Sequence, residues 1–318
     1  MSTVGERVLR VLESSMQLSV VIPTHNPRPD YLRRVLDGLA RQTLSTGEWE
    51  VIIVDNVSDS PVAEAVDLRW HPHSKVIREE KLGLTAARLA GFSASRGEII
   101  VLVDDDNVLA PDYLARAAHL AESHPFLGSW SGCVELVFEP GATVPPPSWR
   151  SYLTERLCEK AVWSNDPSHN ASTPWGAGMC VRRSLATAYL RSSEADPDLF
   201  KLDLQGRELV YGGDTDIAYQ GCAMGLGKGV FPSLSVSHLI PPARCERAYL
   251  LRVIEGHAYS EVLHHWVLHG SLPTDSASRL EGLKRVFRLL LSSADQRALE
   301  GARRRGRLRA RRELGGKH

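Results

Sequence analysis

An apolar run, Val101-Leu102-Val103, breaks directly into three consecutive carboxylates, Asp104, Asp105 and Asp106. Adjacent like charges repel and resist burial, so a chain that sets three of them at the mouth of a buried strand needs a cation to share. The expected partner is a divalent ion, Mn2+ or Mg2+. A strand that must be buried yet end at an ion points to a sheet covered by helices, with its chemistry at one edge.

The hydrophobic pattern agrees. Leu18 to Ile22 is a β-branched run closed by Pro23, and Tyr31 to Arg41 then carries Leu32, Val35, Leu36 and Leu39 at helical spacing. Val51 to Val54 is again continuous and apolar before Asp55 and Asn56, Thr85 to Ser95 reads as a helix, and Ile99 to Val103 is a third strand. Strands alternating with helices predict a parallel sheet whose ligands gather beyond the carboxyl ends of the strands, where Thr24, Asp55 and Asp104 to Asp106 stand.

At 318 residues and 43% hydrophobic, the chain can bury one large core with a smaller appended unit. Pro140 to Pro147, with Pro145, Pro146 and Pro147 in series, reads as a loop or polyproline segment between two halves. Beyond it, Ser235 to Leu239 is a strand candidate containing His238. A helical pattern runs from after Pro242 to about His269, and a second from Arg279 to Leu291. Met1 to Gln17 reads as a short amphipathic helix rather than a signal peptide. The expected division is an N-terminal helix over 1–16, a catalytic domain over 17–240 and a C-terminal helical extension over 241–318.

Cys133, Cys158, Cys180, Cys222 and Cys245 are odd in number, scattered and without a Cys-x-x-Cys pair. That argues against a disulfide framework or zinc knuckle and for a reducing, cytoplasmic setting. No apolar run reaches the roughly 18 to 20 residues that cross a bilayer.

The order of motifs resembles the family 2 glycosyltransferases of the GT-A fold. Val-Val-Ile-Pro-Thr-His-Asn comes first, then Val-Ile-Ile-Val-Asp-Asn, then Gly83 with Ala87 and Arg88. Gly97-Glu98-Ile99-Ile100 leads to Asp104-Asp105-Asp106, and Gly-Gly-Asp-Thr-Asp and Ser-His-Leu-Ile-Pro-Pro follow later. The resemblance covers about residues 17 to 255. It implies an α/β fold with a mainly parallel, Rossmann-like sheet flanked by helices. It also implies transfer of a sugar from a nucleoside diphosphate donor (UDP, GDP or dTDP sugar) to the hydroxyl of a glycan, glycolipid or small-molecule acceptor, with inversion.

Carried over residue by residue, the resemblance gives each candidate a role. Thr24 and Asp55 match the nucleoside-holding positions, although Asp55 alone would also suit a turn cap. Asp104 and Asp106 match an Asp-x-Asp pair for ribose, phosphate and metal. Residues two apart in an extended segment face one side, so Asp105 points elsewhere or supports its neighbours. Asp106 is the first metal ligand and His238 the second, an imidazole suiting Mn2+ better than Mg2+. Asp214 matches the general base in a motif that usually reads Glu-Asp-x-Asp, with Gly213 in place of the glutamate. Asp216 is the fallback base or a helix-start residue. Arg88 and Arg244 suit the diphosphate as bidentate guanidinium partners, or ion pairs at the surface. Trp175, in Trp-Gly-Ala-Gly, reads as a sugar-stacking wall or as a buried indole beside a turn. His264, His265 and His269 carry no site.

Eight Lys and Arg face the single Glu313 in the last eighteen residues, and Leu280, Leu283, Val286, Phe287, Leu290 and Leu291 share a helical face. This region reads either as a peripheral contact with an anionic membrane or as a docked helix with a frayed tail. Nucleic acid is not expected as a partner, because no basic patch is interleaved with aromatics elsewhere. Two other readings stay open: a non-catalytic sugar-nucleotide binding protein and a sugar nucleotidyltransferase. The latter should show a glycine-rich basic loop after its first strand, which Pro23 to Pro29 lacks. A dinucleotide oxidoreductase would need Gly-x-Gly-x-x-Gly, also absent.

Overall fold

All seven residues of strand β1 (Leu18–Thr24) and all eight of β2 (Trp49–Asn56) are buried. Both faces of a strand are dry only when helices cover the sheet on each side, which is why these runs are continuously apolar. The computed structural model describes residues 16–195, 212–273 and 292–315. The helix expected over 1–16, apart from Met16, and the amphipathic stretch Arg279 to Leu291 lie outside them.

Helix α1 (Pro29–Ala40) joins β1 to β2, with Pro at its first turn and Leu32, Val35, Leu36 and Leu39 buried on one side. After the short α2 (Val62–Ala65) come β3 (Ser74–Glu79), α3 (Leu84–Ala94), β4 (Ile99–Leu102), β5 (Asn107–Leu109) and α4 (Tyr113–Ser123). Next are β6 (Leu127–Phe138), α5 (Pro147–Arg150), β7 (Val162–Ser164), β8 (Cys180–Arg182), α6 (Arg183–Ala195), α7 (Gly213–Ala223) and β9 (Gly227–Ile240). Residues 140–146 form the expected loop, and Pro147 opens α5 at the one helical position that tolerates proline.

Among the described residues nine strands form one sheet in the order β3-β2-β1-β4-β8-β6-β9-β5, with β7 also paired to β9. The β3-β2-β1-β4 half is parallel, as the βα alternation predicts. Beyond β4 the pairings β4–β8, β8–β6, β9–β5 and β9–β7 are antiparallel. Alternate residues separate two cores. Val20, Ile22, Val51, Ile53, Val101 and Val103 face the side covered by Leu32, Val35 and Leu114. Val21, Ile52, Val54, Ile100 and Leu102 face Ala87, Phe92, Leu185 and Tyr189.

Two compact units divide the chain. The first lies within Met1–Val137, Thr154–Phe200 and Asp214–Leu239, and the second within Phe138–Leu153, Lys201–Gly213 and Ile240–His318. In the second, α8 (Pro242–Cys245) precedes two long helices, α9 (Arg247–His269) and α10 (Ala294–Gly315). Val262 and Leu263 pack on Ala310 and Leu314. A Cβ on Gly306 would lie 2.1 Å from Glu255 O, so the two backbones touch there. The arginines of 303–312 are therefore inside a docked helix, not a frayed tail. Arg305 pairs with Glu255 at 2.8 Å, Arg307 with Glu261 at 3.1 Å, and Arg309 with Glu313 at 3.1 Å.

Candidate active site

Parallel strands end where helices begin, so side chains just past β1, β2 and β4 converge on one edge of the sheet. Thr24 and Asp55 are opposite one another in the β1–β2 register and both are buried. The Thr24 hydroxyl donates to Asp105 Oδ2. Asp105 is thus turned to β1 and braces the acidic turn, leaving Asp104 and Asp106 for other partners.

Asp55 is largely consumed by its own loop. Its Oδ1 accepts the Ser58 N–H at 3.0 Å, its Oδ2 accepts the Val62 N–H at 3.2 Å, and Arg78 pairs with Oδ2 at 3.1 Å. Burial pushes its pKa up, but these hydrogen bonds and the Arg78 charge outweigh that and hold it below its ordinary value. Val57, a β-branched residue, sits at φ +58° in this loop, a conformation that costs about 1–3 kcal/mol. Asn56 ties the loop to α3: its Nδ2 donates to Glu79 O and Lys81 O at 3.1 and 2.7 Å, and its Oδ1 accepts the Gly83 N–H at 2.8 Å.

The antiparallel half of the sheet brings the second set of residues. In the β5–β9 register Asn107 is opposite His238, and the Leu239 N–H donates to Asp106 O at 2.9 Å. His238 Nε2 consequently stands 3.3 Å from Asp106 Oδ2, with each residue only 7% exposed. Asn107 Nδ2 donates to Asp104 Oδ2 at 2.9 Å, while its Oδ1 is buried without a hydrogen-bond partner. Burial raises the pKa of Asp104. Arg88 and His238 oppose that rise, while Asp106 and Asp214 add to it. Three groups from other elements, Arg88, His238 and Asp214, therefore act on Asp104, together with Asp106 from its own turn.

Asp214 opens α7 and is held by backbone donors on both oxygens. Oδ2 accepts the Gly176 N–H at 2.7 Å, and Oδ1 accepts the Thr215 N–H at 2.9 Å. A Cβ on Gly176 would lie 2.6 Å from Arg88 Nη2 and 3.5 Å from Asp214 Oδ2, so Arg88 and Asp214 flank this glycine. Arg88 is buried in α3, and its Nε has no hydrogen-bond partner. Gly178 has a different cause: its φ of +69° favours glycine, and a Cβ would lie 2.6 Å from Tyr113 Oη. Asp216 is buried in the first turn of α7, a helix-start position.

Trp175 is only partly buried. One face is covered by the Arg156 guanidinium, 3.9 Å from the ring centroid. Arg156 Nη1 donates to Thr173 O at 2.8 Å, and Lys228, fully buried, donates to Thr173 Oγ1 at 2.7 Å and to Ser168 O. Sequence reasoning missed Arg156, Asn107 and Lys228. Arg156 lies in an irregular segment with no periodic signal, whereas the lone Lys228 between Gly227 and Gly229 in a strand was a usable clue. Arg244 belongs to α8 in the second unit, apart in the chain's organisation from the other candidates.

Among the described residues no three His, Cys, Asp or Glu side chains gather as a metal cage. Asp106 and His238 offer two donors side by side, and Asn107 Oδ1 is an orphaned buried oxygen one residue away. This set fits a hard divalent ion that takes its other ligands from substrate phosphates and water.

Residues 19–173 match the family model for Glycosyl transferase family 2. An uncharacterized glycosyltransferase, YwdF of Bacillus subtilis (strain 168), is 32% identical over 130 residues, 41% of this chain and 47% of that protein. The chain spans less than half the length of the curated relatives it matches first. The crystal structure of S. aureus TarS 1–349 in complex with UDP-GlcNAc superposes with a TM-score of 0.51 at 16% identity, over 90% of this chain and 79% of that one. GalNAc-T7 with UDP, GalNAc and Mn2+ gives 0.53 at 17% identity, over 86% and 54%. At such identities the likeness to the two structures is one of fold.

Proposed function

Residues 19–173 belong to glycosyl transferase family 2 in a GT-A fold, and from that premise we propose that the chain transfers a sugar from a nucleoside diphosphate donor to an acceptor hydroxyl, with inversion. The observation that carries this reading is the position of Asp214. Its carboxylate is fixed by Gly176 and Thr215 beside Arg88, and it lies within electrostatic reach of the Asp104 cluster.

Each requirement of the reaction has a group on hand. The loop after β2 and the Thr24–Asp105 pair would receive the nucleoside. Arg88, with a buried N–H that lacks an acceptor, would take a phosphate oxygen, since an unsatisfied buried donor is costly and a charge-assisted bond to phosphate is strong. Asp106 and His238 would hold the Mn2+ or Mg2+. A bound divalent ion supplies Lewis-acid stabilisation of the charge on the departing diphosphate. Asp214 would accept the acceptor hydroxyl proton as the new bond forms, because a sugar hydroxyl is too weak an acid to lose it beforehand. Backbone donors on both its oxygens fix the carboxylate's orientation without neutralising it. Trp175 would offer its uncovered side to a sugar ring.

TarS was solved with UDP-GlcNAc and GalNAc-T7 with UDP and GalNAc, which supports a uridine diphosphate sugar as the first donor to try. Among the described residues no helix is long and apolar enough to cross a membrane. The five free, scattered cysteines support the proposal of a cytoplasmic setting, to which we add peripheral membrane contact. In 303–312 five of the seven arginines are held by intrachain partners, and Arg304 and Arg312 remain exposed for it.

The test is UDP release from UDP-sugars with Mn2+, comparing wild type with Asp214→Asn. Turnover that falls by about 10²- to 10⁴-fold with UDP affinity retained supports the base assignment. Binding without turnover in either protein identifies a non-catalytic binding module instead.

A further inference from the structure

Arg156 covers Trp175, the residue before the Gly176 that holds Asp214, and the proposed chemistry leaves it without a task. We propose that the Arg156–Trp175 pair recognises a negatively charged group, phosphate or carboxylate, carried by the acceptor close to the hydroxyl that Asp214 activates. This deepens the glycosyltransferase reading and rests on it.

Arg156 is fixed at both ends. Its backbone exchanges hydrogen bonds with Val134 at 2.9 and 3.0 Å, and its guanidinium carbon lies over the Trp175 ring while Nη1 donates to Thr173 O. The support beneath it is itself braced by Lys228 through Thr173 Oγ1 and Ser168 O. A guanidinium stacked on an indole keeps its in-plane N–H edge available, the geometry that pairs bidentately with an oxyanion. Among the described residues no carboxylate closes an ion pair with Arg156. Burial lowers its pKa and thus penalises the cation, with the Cys158 sulfur, the Asp214 carboxylate and the Cys133 sulfur nearby. A partly buried, rigid and unpaired cation is a costly feature that an arriving anion would offset.

The side on which it acts follows from who faces whom. Asp104 is surrounded by Arg88, Asp106, His238 and Asp214, whereas Arg156 shares only Asp214 with that group. Arg88 reaches Gly176 and the Asp104 group, while Arg156 is held one residue earlier, over Trp175, and has no such link to Asp104. A donor diphosphate held at Arg88 and Asp106 leaves Arg156 to the acceptor.

Calorimetric binding in saturating UDP and Mn2+, which occupy the donor side, tests this. The probes are two matched pairs: glycerol 1-phosphate against glycerol, and 4-nitrophenyl β-D-glucuronide against 4-nitrophenyl β-D-glucoside. The wild type is expected to bind at least one anionic member about tenfold or more tightly than its neutral counterpart, some 1.4 kcal/mol. Arg156→Gln should bring that ratio near one, and Arg156→Lys, which keeps charge but not the fork, should retain part of it. The pair that responds separates a phosphate-bearing from a carboxylate-bearing acceptor. Equal binding of both members by the wild type, or an undiminished preference in Arg156→Gln with unchanged thermal unfolding, overturns the proposal. Absence of UDP binding in every protein would defeat the glycosyltransferase reading, while the anion ratio would still report on Arg156.

Discussion

His238 Nε2 lies 3.3 Å from Asp106 Oδ2 although 132 positions separate them in the chain. The contact exists because β5 follows the acidic turn immediately and pairs antiparallel with the far end of β9. If the two side chains share a cation, removing either donor should weaken its binding at least about 100-fold, judging from the 10- to 100-fold effects of merely supporting residues. Mn2+ titration of His238→Ala and Asp106→Asn by water-proton relaxation would measure this. Wild-type affinity in both variants would remove the pair from the metal's surroundings.

Gly176 has no room for a methyl group beside Arg88. Gly176→Ala should displace the guanidinium, the far end of a flexible side chain that shifts at modest cost, while leaving the N–H that holds Asp214 in place. Loss is expected in the KM for the sugar nucleotide more than in kcat. Steady-state kinetics with the donor varied would show it, and a change confined to kcat would argue that Asp214, not Arg88, had moved.

Burial, with His73 beside it, pushes the His71 imidazole down to about 4. The ring is wedged against Trp49 and Trp70, with centroids 4.2 and 5.2 Å away, and its Nδ1 accepts the His73 N–H at 3.2 Å. A depressed histidine pKa means that the unfolded chain binds the proton first. The stability contributed by neutral His71 is therefore complete above the ordinary value of 6.5 and is lost as pH falls toward 4. Between pH 7.5 and 5 the loss should be about 2 kcal/mol from this residue. Urea unfolding of wild type and His71→Phe at both pH values should show a smaller pH dependence in the variant.

Gly306→Ala should open the contact between α9 and α10, since the added carbon meets the Glu255 carbonyl oxygen rather than a flexible side chain. A destabilisation of about 1–3 kcal/mol or more is expected, read as a lower thermal midpoint. An unchanged midpoint would mean that the two helices do not touch at this position in solution.

Lys228→Met retains the aliphatic stem but removes the charged donor to Thr173 Oγ1 and Ser168 O, leaving Thr173 Oγ1 with the Asn170 N–H alone. Losing a charge-assisted hydrogen bond to the buried Thr173 hydroxyl costs about 1.5–3 kcal/mol, so thermal stability should fall. Because Thr173 also carries Arg156, KM for the acceptor should rise more than KM for the donor. Equal changes in both would make Lys228 a prop of the sheet alone.

Much of the first half was legible because its signals are local. Continuous apolar runs at Leu18 to Ile22, Val51 to Val54 and Ile99 to Val103 are strands, and the leucine spacing after Tyr31 is a helix, within a few residues of where each stands. The acidic turn was found for the same reason: like charges cannot sit inside the strand they follow. Harder to read were the short strands β5, β7 and β8, whose three residues each carry too little period to stand out. Nor does the sequence show that Gly178 of Trp-Gly-Ala-Gly is packed against Tyr113.

Residue order alone thus dictated a helix-covered sheet with carboxylates at its strand ends, because burial and charge repulsion act over a few neighbouring positions. It could not say that Thr24 would turn Asp105 aside, that Ser58 and Val62 would occupy Asp55, or that Arg88 would meet Gly176 while Arg156 covers Trp175. Those choices come from antiparallel register and from helix ends meeting far-off loops, contacts made by segments with no shared local pattern. Only the folded chain decides them.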